Sequence, residues 1–107
     1  MSNYKPVSGP EPTRHEIDNR PGKTVLEFGA GWCPHCLAIQ GRLKKLFDAH
    51  PDVTHVKVED GKGLPLGRSF GVKLWPTLVF LRDGVAEAQM SRPDEKQIAE
   101  AFETLAK

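Results

Sequence analysis

The residues of this chain best suited to chemistry are its only two cysteines, Cys33 and Cys36, which lie three positions apart in the stretch GAGWCPHCLAI. A pair at this spacing has three common uses: it ligates zinc, it forms a structural disulfide, or it exchanges disulfides with another molecule. In exchange, one thiolate attacks a disulfide sulfur to give a mixed disulfide, and the second thiol resolves it.

Two of these uses have little support in the rest of the chain. A structural zinc site takes about four ligands, but the histidines, His15, His35, His50 and His55, are scattered and offer no second pair at metal spacing. A permanent disulfide would close a very short loop and constrain the unfolded chain little. We therefore expect no metal and no cofactor other than the redox-active disulfide of the pair. We interpret His50 and His55 as surface residues or as residues whose hydrogen bonds are satisfied inside the fold.

The elements around the pair are expected to stabilise a thiolate. Thr24 to Gly29 is β-branched and aromatic, with apolar residues on both faces, which predicts a buried central strand. From Pro34 to about Ala49, apolar residues recur at helical spacing, and a proline is tolerated in the first turn. Cys33 would therefore lie at the mouth of a helix, where free N–H groups and the helix dipole favour an anion.

These positions give the two sulfurs different tasks. Cys33 is the predicted nucleophile, and Cys36, one turn later and deeper, is the predicted resolving thiol. Pro34 removes one helix-opening N–H while it stiffens the turn. His35, when protonated, adds a cation beside the thiolate. Both intervening residues are expected to influence thiol acidity and redox poise.

The composition limits what else the chain can do. With 107 residues it has room for one domain, and a net charge of +1 provides no general field for nucleic acid or an anionic membrane. The N-terminal stretch has no apolar run of signal-peptide length, and no segment is long and apolar enough to span a membrane. The sequence thus predicts a cytoplasmic protein, or a periplasmic one if an export signal has been removed.

Residues 1–12 are expected to form a flexible N-terminal arm, and residues 13–107 a single domain. The arm is rich in proline and glycine and has at most a short edge strand at Tyr4 to Val7. Thr13 and Glu16 have the spacing of a capping box, which predicts a brief helix from Thr13 to about Arg20.

The remaining pattern alternates strands and helices. The predicted elements are a strand at Asp52 to Glu59, a loop at Gly61 to Gly67, a helical turn at Leu66 to Phe70, strands at Pro76 to Arg82 and Val85 to Met90 joined by an Asp83-Gly84 hairpin turn, and a last helix capped by Asp94. This order indicates an α/β fold.

Two motifs together resemble those of the thioredoxin family. FGAGWCPHC joins the predicted buried strand to a helix and resembles the family's W-C-x-x-C segment, while FGVKLWPTLVFLRDG, which begins 34 residues after Cys36, resembles its strand with a Pro-Thr pair. The resemblance covers roughly residues 13–107. It implies an α/β thioredoxin fold with a central mixed sheet of four or five strands flanked by helices, and a cis peptide bond before Pro76.

The resemblance also implies an activity and its partners. The expected function is a thiol-disulfide oxidoreductase of the protein-disulfide reductase type, which forms a mixed disulfide on Cys33 that Cys36 resolves. The implied partners are protein disulfide or dithiol substrates and an upstream thiol reductase, without nucleic acid or membrane, and the protein is expected to be a monomer.

Two further residues are expected to be catalytic because of this resemblance. Glu27, six residues before Cys33, stands where the family has a buried aspartate that exchanges a proton with the resolving cysteine. The match is by position and not by identity, since glutamate has one more methylene group. Lys57 matches the lysine that pairs with that acid in the family, and such pairing would offset the burial of both charges.

The resemblance implies a substrate-binding rim around the cysteines, formed by Trp32, Pro34, His35, Trp75, Pro76 and Arg92. The backbone before Pro76 would pair with the substrate chain, as in β-augmentation. Trp75 is bulkier than the residue expected there, Gly29 stands where the family often has an aromatic residue, and Ser91-Arg92-Pro93 replaces a loop that contains glycine. The groove is therefore expected to accept different partners from those of a general thioredoxin. Trp32 fits either core packing or shielding of the rim.

A rival hypothesis is a binding or adaptor module with the same fold. In that case the cysteines are incidental, Trp75 and Arg92 contact a partner, and replacement of the cysteines leaves partner capture unchanged. The presence of both Cys33 and Cys36 favours the enzyme.

Overall fold

The structure is a computed structural model that describes residues 2–61 and 64–107. Along these residues the elements are α1 (Arg14–Asp18), β1 (Lys23–Gly29), α2 (Pro34–Ala38), α3 (Gln40–Ala49), β2 (Val53–Glu59), α4 (Pro65–Ser69), β3 (Thr77–Arg82), β4 (Val85–Ser91) and α5 (Glu95–Ala106). The predicted loop from Gly61 to Gly67 includes Lys62 and Gly63, which lie outside the described residues. None of the helices described is long and apolar enough to cross a bilayer.

The strands form one four-stranded mixed sheet in the order β2-β1-β3-β4. β1 pairs in parallel with β2 and antiparallel with β3, and β4 pairs antiparallel with β3. Positions 24–29 of β1 are all buried, as expected for a central strand that is covered on both faces. The predicted α/β fold with a central mixed sheet is therefore confirmed.

Helices cover both faces of the sheet and enclose two apolar clusters. On one face, Phe47 of α3 and Phe102 of α5 meet edge-on at 5.1 Å, and Phe102 also contacts Phe80 of β3. On the other face, Ile17 of α1 and Leu66 of α4 pack against β1 and β3. Burial of each side chain of this size stabilises the fold by about 1.5–3 kcal/mol. Both clusters include residues of β1, so they hold this strand, and the start of α2 that follows it, in place.

Local capping explains where the first and last helices begin. The Thr13 hydroxyl accepts from the Glu16 N–H at 3.1 Å, and the Glu16 carboxylate accepts from the Thr13 N–H at 2.9 Å. This is the capping box that the sequence predicts. Asp94 and Gln97 form a second such box ahead of α5.

The helix predicted from Pro34 to Ala49 is divided into α2 and α3. The break falls at Ile39, whose φ and ψ are −94° and −5°. Beside it, Nε2 of Gln40 donates to the Cys36 carbonyl at 2.8 Å. A side chain that inserts into the backbone hydrogen-bond ladder interrupts a helix. The prediction of one continuous helix was therefore wrong at this position.

The N-terminal arm runs along the outer edge of β2. Asn3 donates its side-chain amide to the Val53 carbonyl at 2.9 Å, and the Gly9 N–H reaches the Lys57 carbonyl at 3.3 Å. No strand forms at Tyr4 to Val7, because the bonds to β2 come from a mixture of side chains and backbone and do not build a ladder.

Candidate active site

The two cysteines lie at the junction between β1 and α2. Cys33 is the N-cap of α2, with extended φ and ψ of −77° and 120°, and its N–H donates to the Ala30 carbonyl at 3.1 Å. Cys36 lies one turn further along. Both are free thiols with relative exposures of 5% and 4%. The fold therefore places one sulfur at the helix mouth and the second beside it.

Hydrogen bonds lower the pKa of the Cys33 thiol. Burial is the largest single influence and opposes ionisation, but it is outweighed by the hydrogen bond from the Cys36 thiol, by the N–H groups of Cys36 and His35, and by the charge of Arg92. Several donors at a helix start are thus aimed at one sulfur, which stabilises a thiolate. The pKa of Cys33 therefore lies below that of an ordinary thiol.

The Cys36 thiol is shifted in the opposite direction. Burial raises the pKa of Cys36 to about 12, and the hydrogen bond to Cys33 and the negative charges of Cys33 and Glu27 act in the same direction, against a hydrogen bond with the Ala30 backbone. Cys33 is therefore the more readily ionised thiol of the pair. Cys36 remains protonated until a base removes its proton.

Glu27 is buried in β1, with 1% relative exposure, and its charge reaches Cys36. Its two carboxylate oxygens have different partners. Oε1 lies 2.7 Å from Nε2 of His55, and Oε2 accepts from Nε2 of Gln40 at 2.9 Å. The carboxylate is therefore hydrogen-bonded at both oxygens, as a buried group of this kind requires.

Within the described residues, Lys57 does not form the predicted direct pair with Glu27. The two are register partners on β2 and β1, but Nζ of Lys57 donates to the Pro6 carbonyl at 3.1 Å and to Oε1 of Gln40 at 3.0 Å. The long side chain reaches the half-exposed sheet edge, where an ammonium group stays partly hydrated. The His55 ring occupies the place beside the carboxylate, so Gln40 links Lys57 to Glu27.

His55 and Gln40 contact Glu27, although neither was expected from the sequence to belong to the site. The His55 side chain is fully buried and stacks on the Phe47 ring at 4.3 Å, so it is a satisfied interior residue and not a surface one. The proximity of His55 to the site could have been inferred from the sequence, because residues two apart on a strand share a face. His55 therefore faces the same side as Lys57, its neighbour two positions on.

Trp75, which precedes Pro76, lies against the cysteines. The peptide bond between Trp75 and Pro76 is cis, as the resemblance implies, and Trp75 packs on the small cluster of Ala30 and the two thiols. The indole Nε1 of Trp75 donates to Asp60 at 2.9 Å, and its ring meets Trp32 edge-on at 5.7 Å. Trp32 is 72% exposed, so it is not a core residue.

Arg92 is held beside these residues by an unusual backbone conformation. Its φ is 47°, a left-handed value that costs a residue with a Cβ roughly 1–2 kcal/mol. The Arg92 N–H donates to the Pro76 carbonyl at 2.7 Å, and Nε donates to the Trp75 carbonyl at 2.9 Å. The guanidinium is thereby placed close enough to Cys33 to lower the pKa of that thiol.

Pro34 and His35 are exposed at the start of α2. His35 borders a hollow of about 170 Å³ together with Pro76 and Arg92. The structure therefore brings the predicted rim residues together around one pair of sulfurs: Trp32, Pro34, His35, Trp75, Pro76 and Arg92.

A cleft reaches Cys36 from the side of the N-terminal arm. It has a volume of about 290 Å³, is lined by Glu27, Gly29, Cys36 and Lys57, and has residues 6–8 of the arm in its wall. A water molecule takes up about 30 Å³ in the liquid. The cleft therefore has room for water beside Cys36 and Glu27.

Gly29 makes room for the Cys36 sulfur. A Cβ at position 29 would lie 2.7 Å from Sγ of Cys36, well inside van der Waals contact. We predict that Gly29→Ala displaces the sulfur and lowers the free energy of unfolding by about 1–3 kcal/mol, as is usual for overpacking. Chemical denaturation of the two reduced proteins measures this difference.

Gly41→Ala is the matched control for that substitution. Nothing lies within 4 Å of a Cβ at position 41, which is exposed in α3. Alanine there should raise the free energy of unfolding by up to about 1 kcal/mol. Similar effects of the two substitutions would contradict the close contact between residue 29 and the Cys36 sulfur.

Comparison with known proteins places these observations in a family. Residues 10–104 match the family model described as Thioredoxin. Among solved structures, the chain is similar to thioredoxin 2 from Pseudomonas aeruginosa PAO1 in its reduced form, with 53% identity, coverage of 89% of each chain and a TM-score of 0.78.

Two curated relatives show the same similarity over shorter stretches. The mitochondrial Thioredoxin-3 of Saccharomyces cerevisiae is 37% identical over 62 residues, and the mitochondrial Thioredoxin O2 of Arabidopsis thaliana is 33% identical over 87 residues. These matches cover 58% and 78% of this chain, and they span about half the length of the relatives, 49% and 54%. Since the family model extends over nearly the whole sequence, and the fold and the Cys33–Cys36 pair agree with it, the chain belongs to the thioredoxin family.

Proposed function

We propose that the chain is a thiol-disulfide oxidoreductase that reduces disulfide bonds in protein substrates. The observation that carries this proposal is a pair of free thiols in hydrogen-bond contact whose pKa values are shifted in opposite directions, that of Cys33 down and that of Cys36 up to about 12. In such a pair, one thiol attacks the substrate disulfide and the other later resolves the mixed disulfide. The rival hypothesis of a binding module leaves this arrangement unexplained and is not favoured.

The reaction has two steps. The Cys33 thiolate attacks one sulfur of a substrate disulfide, which forms a Cys33–substrate disulfide and releases the other substrate sulfur as a thiolate. Cys36 then loses its proton and attacks the Cys33 sulfur, so that the substrate leaves as a second thiolate. A Cys33–Cys36 disulfide remains, and two electrons have passed to the substrate.

Glu27 is the proposed acceptor of the Cys36 proton. With a pKa of about 12, roughly one Cys36 thiol in 10⁵ is ionised at pH 7, so the second step needs a base. Glu27 borders the same cleft as Cys36, and the proton is proposed to move either directly or through one water, the two routes open to a general base. The proposed contribution of Lys57 is to hold Gln40, which in turn donates to Glu27.

The substrate chain is proposed to bind across the rim. The Trp75 backbone, next to Pro76, offers hydrogen bonds to an extended peptide, and the exposed Trp32 adds apolar contact. Arg92 already donates to the Trp75 carbonyl, so a substrate strand has to share or displace that bond. Arg92, with His35 and Pro34 beside it, is therefore proposed to select among substrates.

The partners follow from the same chemistry. The cysteine pair carries the electrons itself, so the proposed reaction needs no cofactor, but the Cys33–Cys36 disulfide must be reduced again by an upstream thiol reductase. We propose that the chain works as a monomer in the cytoplasm, where a close cysteine pair is used for exchange more often than for structure. Light scattering of the purified protein tests the oligomeric state.

Reduction of insulin by dithiothreitol tests the proposed activity. The protein should accelerate the precipitation of the insulin B chain, because Cys33 attacks the insulin disulfides faster than the small thiol does. The matched control is the same protein after its thiols have been alkylated with iodoacetamide. Equal rates with the alkylated and the unmodified protein would overturn the proposal.

A further inference from the structure

The buried hydrogen bond between His55 and Glu27 has a direction that its surroundings set. The Lys5 N–H can only donate, and it lies 2.7 Å from Nδ1 of His55. Nδ1 must therefore offer a lone pair, and the ring proton is on Nε2. Since Nε2 lies 2.7 Å from Oε1 of Glu27, His55 is the donor and the carboxylate is the acceptor.

Neighbouring donors also set the direction of the hydrogen bond between the Gln40 amide and the Glu27 carboxylate. Oε1 of Gln40 accepts from the Tyr4 hydroxyl at 2.7 Å and from Nζ of Lys57 at 3.0 Å. Two donors at the amide oxygen turn the amide nitrogen toward Glu27, which it reaches at 2.9 Å. The amide of Gln40 is thereby fixed in the orientation that donates to the carboxylate.

The orientation of both hydrogen bonds to Glu27 depends on the docked N-terminal arm. Lys5 supplies the N–H that orients His55, and Tyr4 supplies the hydroxyl that orients Gln40 and also lies 5.5 Å from the His55 ring. Within the part of the chain that the structure describes, the charged or titratable groups that face the His55–Glu27 pair are Tyr4 from the arm, Lys57 of β2 through Gln40, and Cys36 of α2. The arm is therefore part of the surroundings of the buried acid.

We propose that His55 is a positioning residue for Glu27 and that the docked N-terminal arm, through Lys5 and Tyr4, keeps both carboxylate oxygens as acceptors so that Glu27 can take the Cys36 proton. This inference rests on the proposed function, because it concerns its second step. It assigns the arm and His55 to the resolution of the mixed disulfide and not to the first attack by Cys33.

A reaction with 5,5′-dithiobis(2-nitrobenzoic acid) separates the two steps. Attack by Cys33 forms a mixed disulfide and releases one thionitrobenzoate. Attack by Cys36 then forms the Cys33–Cys36 disulfide and releases a second thionitrobenzoate, so stopped-flow absorbance shows two phases. The first phase reports the nucleophile, and the second reports proton removal from Cys36 and resolution.

His55→Phe keeps the ring stacked on Phe47 but removes the donor to Glu27. The second phase should be about tenfold slower at pH 7, which is part of the 10²–10⁴-fold that a general base contributes, while the first phase stays within about twofold of wild type. The difference between the second-phase rates of wild type and His55→Phe should shrink as the pH rises toward the pKa of Cys36, because hydroxide then removes the Cys36 proton without Glu27.

Two matched variants show whether the donor or the ring matters. His55→Gln retains an N–H at the end of a side chain of similar reach and should restore the second phase to within about threefold of wild type. His50→Phe makes the same chemical change at a half-exposed histidine outside the site and should leave both phases unchanged.

The possible results separate this inference from the proposed function. If wild type shows both phases but His55→Phe does not slow the second, or slows it equally at every pH, or is not rescued by His55→Gln, the inference fails and the proposed function stands. Absence of both phases in wild type is the failure of the proposed function. Nitrogen-15 NMR of the wild-type imidazole tests the same inference without any variant: a proton on Nδ1 of His55 overturns it, and a proton on Nε2 supports it.

Discussion

Cys33→Ser should abolish insulin reduction, with a loss of more than about a thousandfold in turnover, the scale expected when an activated nucleophile is removed. A serine hydroxyl is not ionised by the donors that lower the pKa of Cys33, and it cannot form the mixed disulfide. The substitution changes one atom at a nearly buried position, so circular dichroism of the variant should match that of wild type. The insulin assay with dithiothreitol measures the loss.

A folded Cys33→Ser protein that stayed active would contradict this prediction. Retention of a tenth or more of the wild-type rate by a folded Cys33→Ser protein would mean that Cys36, or no cysteine at all, starts the reaction. Burial is the largest influence that raises the pKa of Cys36, and it remains in the variant, so we expect Cys36 not to take over the first attack.

Cys36→Ser should stop the reaction after its first step. The Cys33 thiolate still attacks, but no second thiol is present to resolve the mixed disulfide, so covalent protein–substrate adducts accumulate. Turnover should fall by more than about a hundredfold, while the adduct on Cys33 persists until an external thiol is added. Intact-mass spectrometry before and after dithiothreitol measures the adduct.

The double variant Cys33→Ser/Cys36→Ser is the control for this trap. It should capture no covalent partner from the same substrate mixture, because no thiolate remains at the helix mouth. Adducts on Cys36→Ser that survive dithiothreitol, or that the double variant also forms, would show that capture does not proceed through a disulfide on Cys33. The trapped proteins would also identify the substrates that react with Cys33.

The features that sequence alone could predict are those that depend on near neighbours in the chain. Thr13 and Glu16 predict a capping box because both partners lie in one turn, and the box is present. The strand before Cys33 and the helix after Pro34 are likewise local, and together they place the two sulfurs at a helix start. The central mixed sheet follows from the alternation of these elements and from the resemblance to the family.

The environment of Glu27 could not be predicted in the same way, because it is assembled from distant segments. His55 and Gln40 meet at one carboxylate, and Lys5 contacts His55 from the N-terminal arm. No local sequence pattern predicts these contacts. The prediction that Lys57 pairs directly with Glu27 was wrong because a buried imidazole occupies that place. The break at Ile39 was missed for a related reason, since it accompanies a side-chain bond from Gln40 to the Cys36 carbonyl.

Hydrogen bonds from the Cys36 thiol and from the first N–H groups of α2 make Cys33 acidic, while burial keeps Cys36 protonated. The rate of alkylation of each thiol by iodoacetamide across pH, located by peptide mass spectrometry of the reduced wild-type protein, tests it most directly. The structure predicts that the midpoint for Cys33 lies below that of an ordinary thiol and that Cys36 stays almost unmodified up to strongly alkaline pH. A Cys33 midpoint at or above that of a free cysteine, or faster modification of Cys36 than of Cys33, would contradict it.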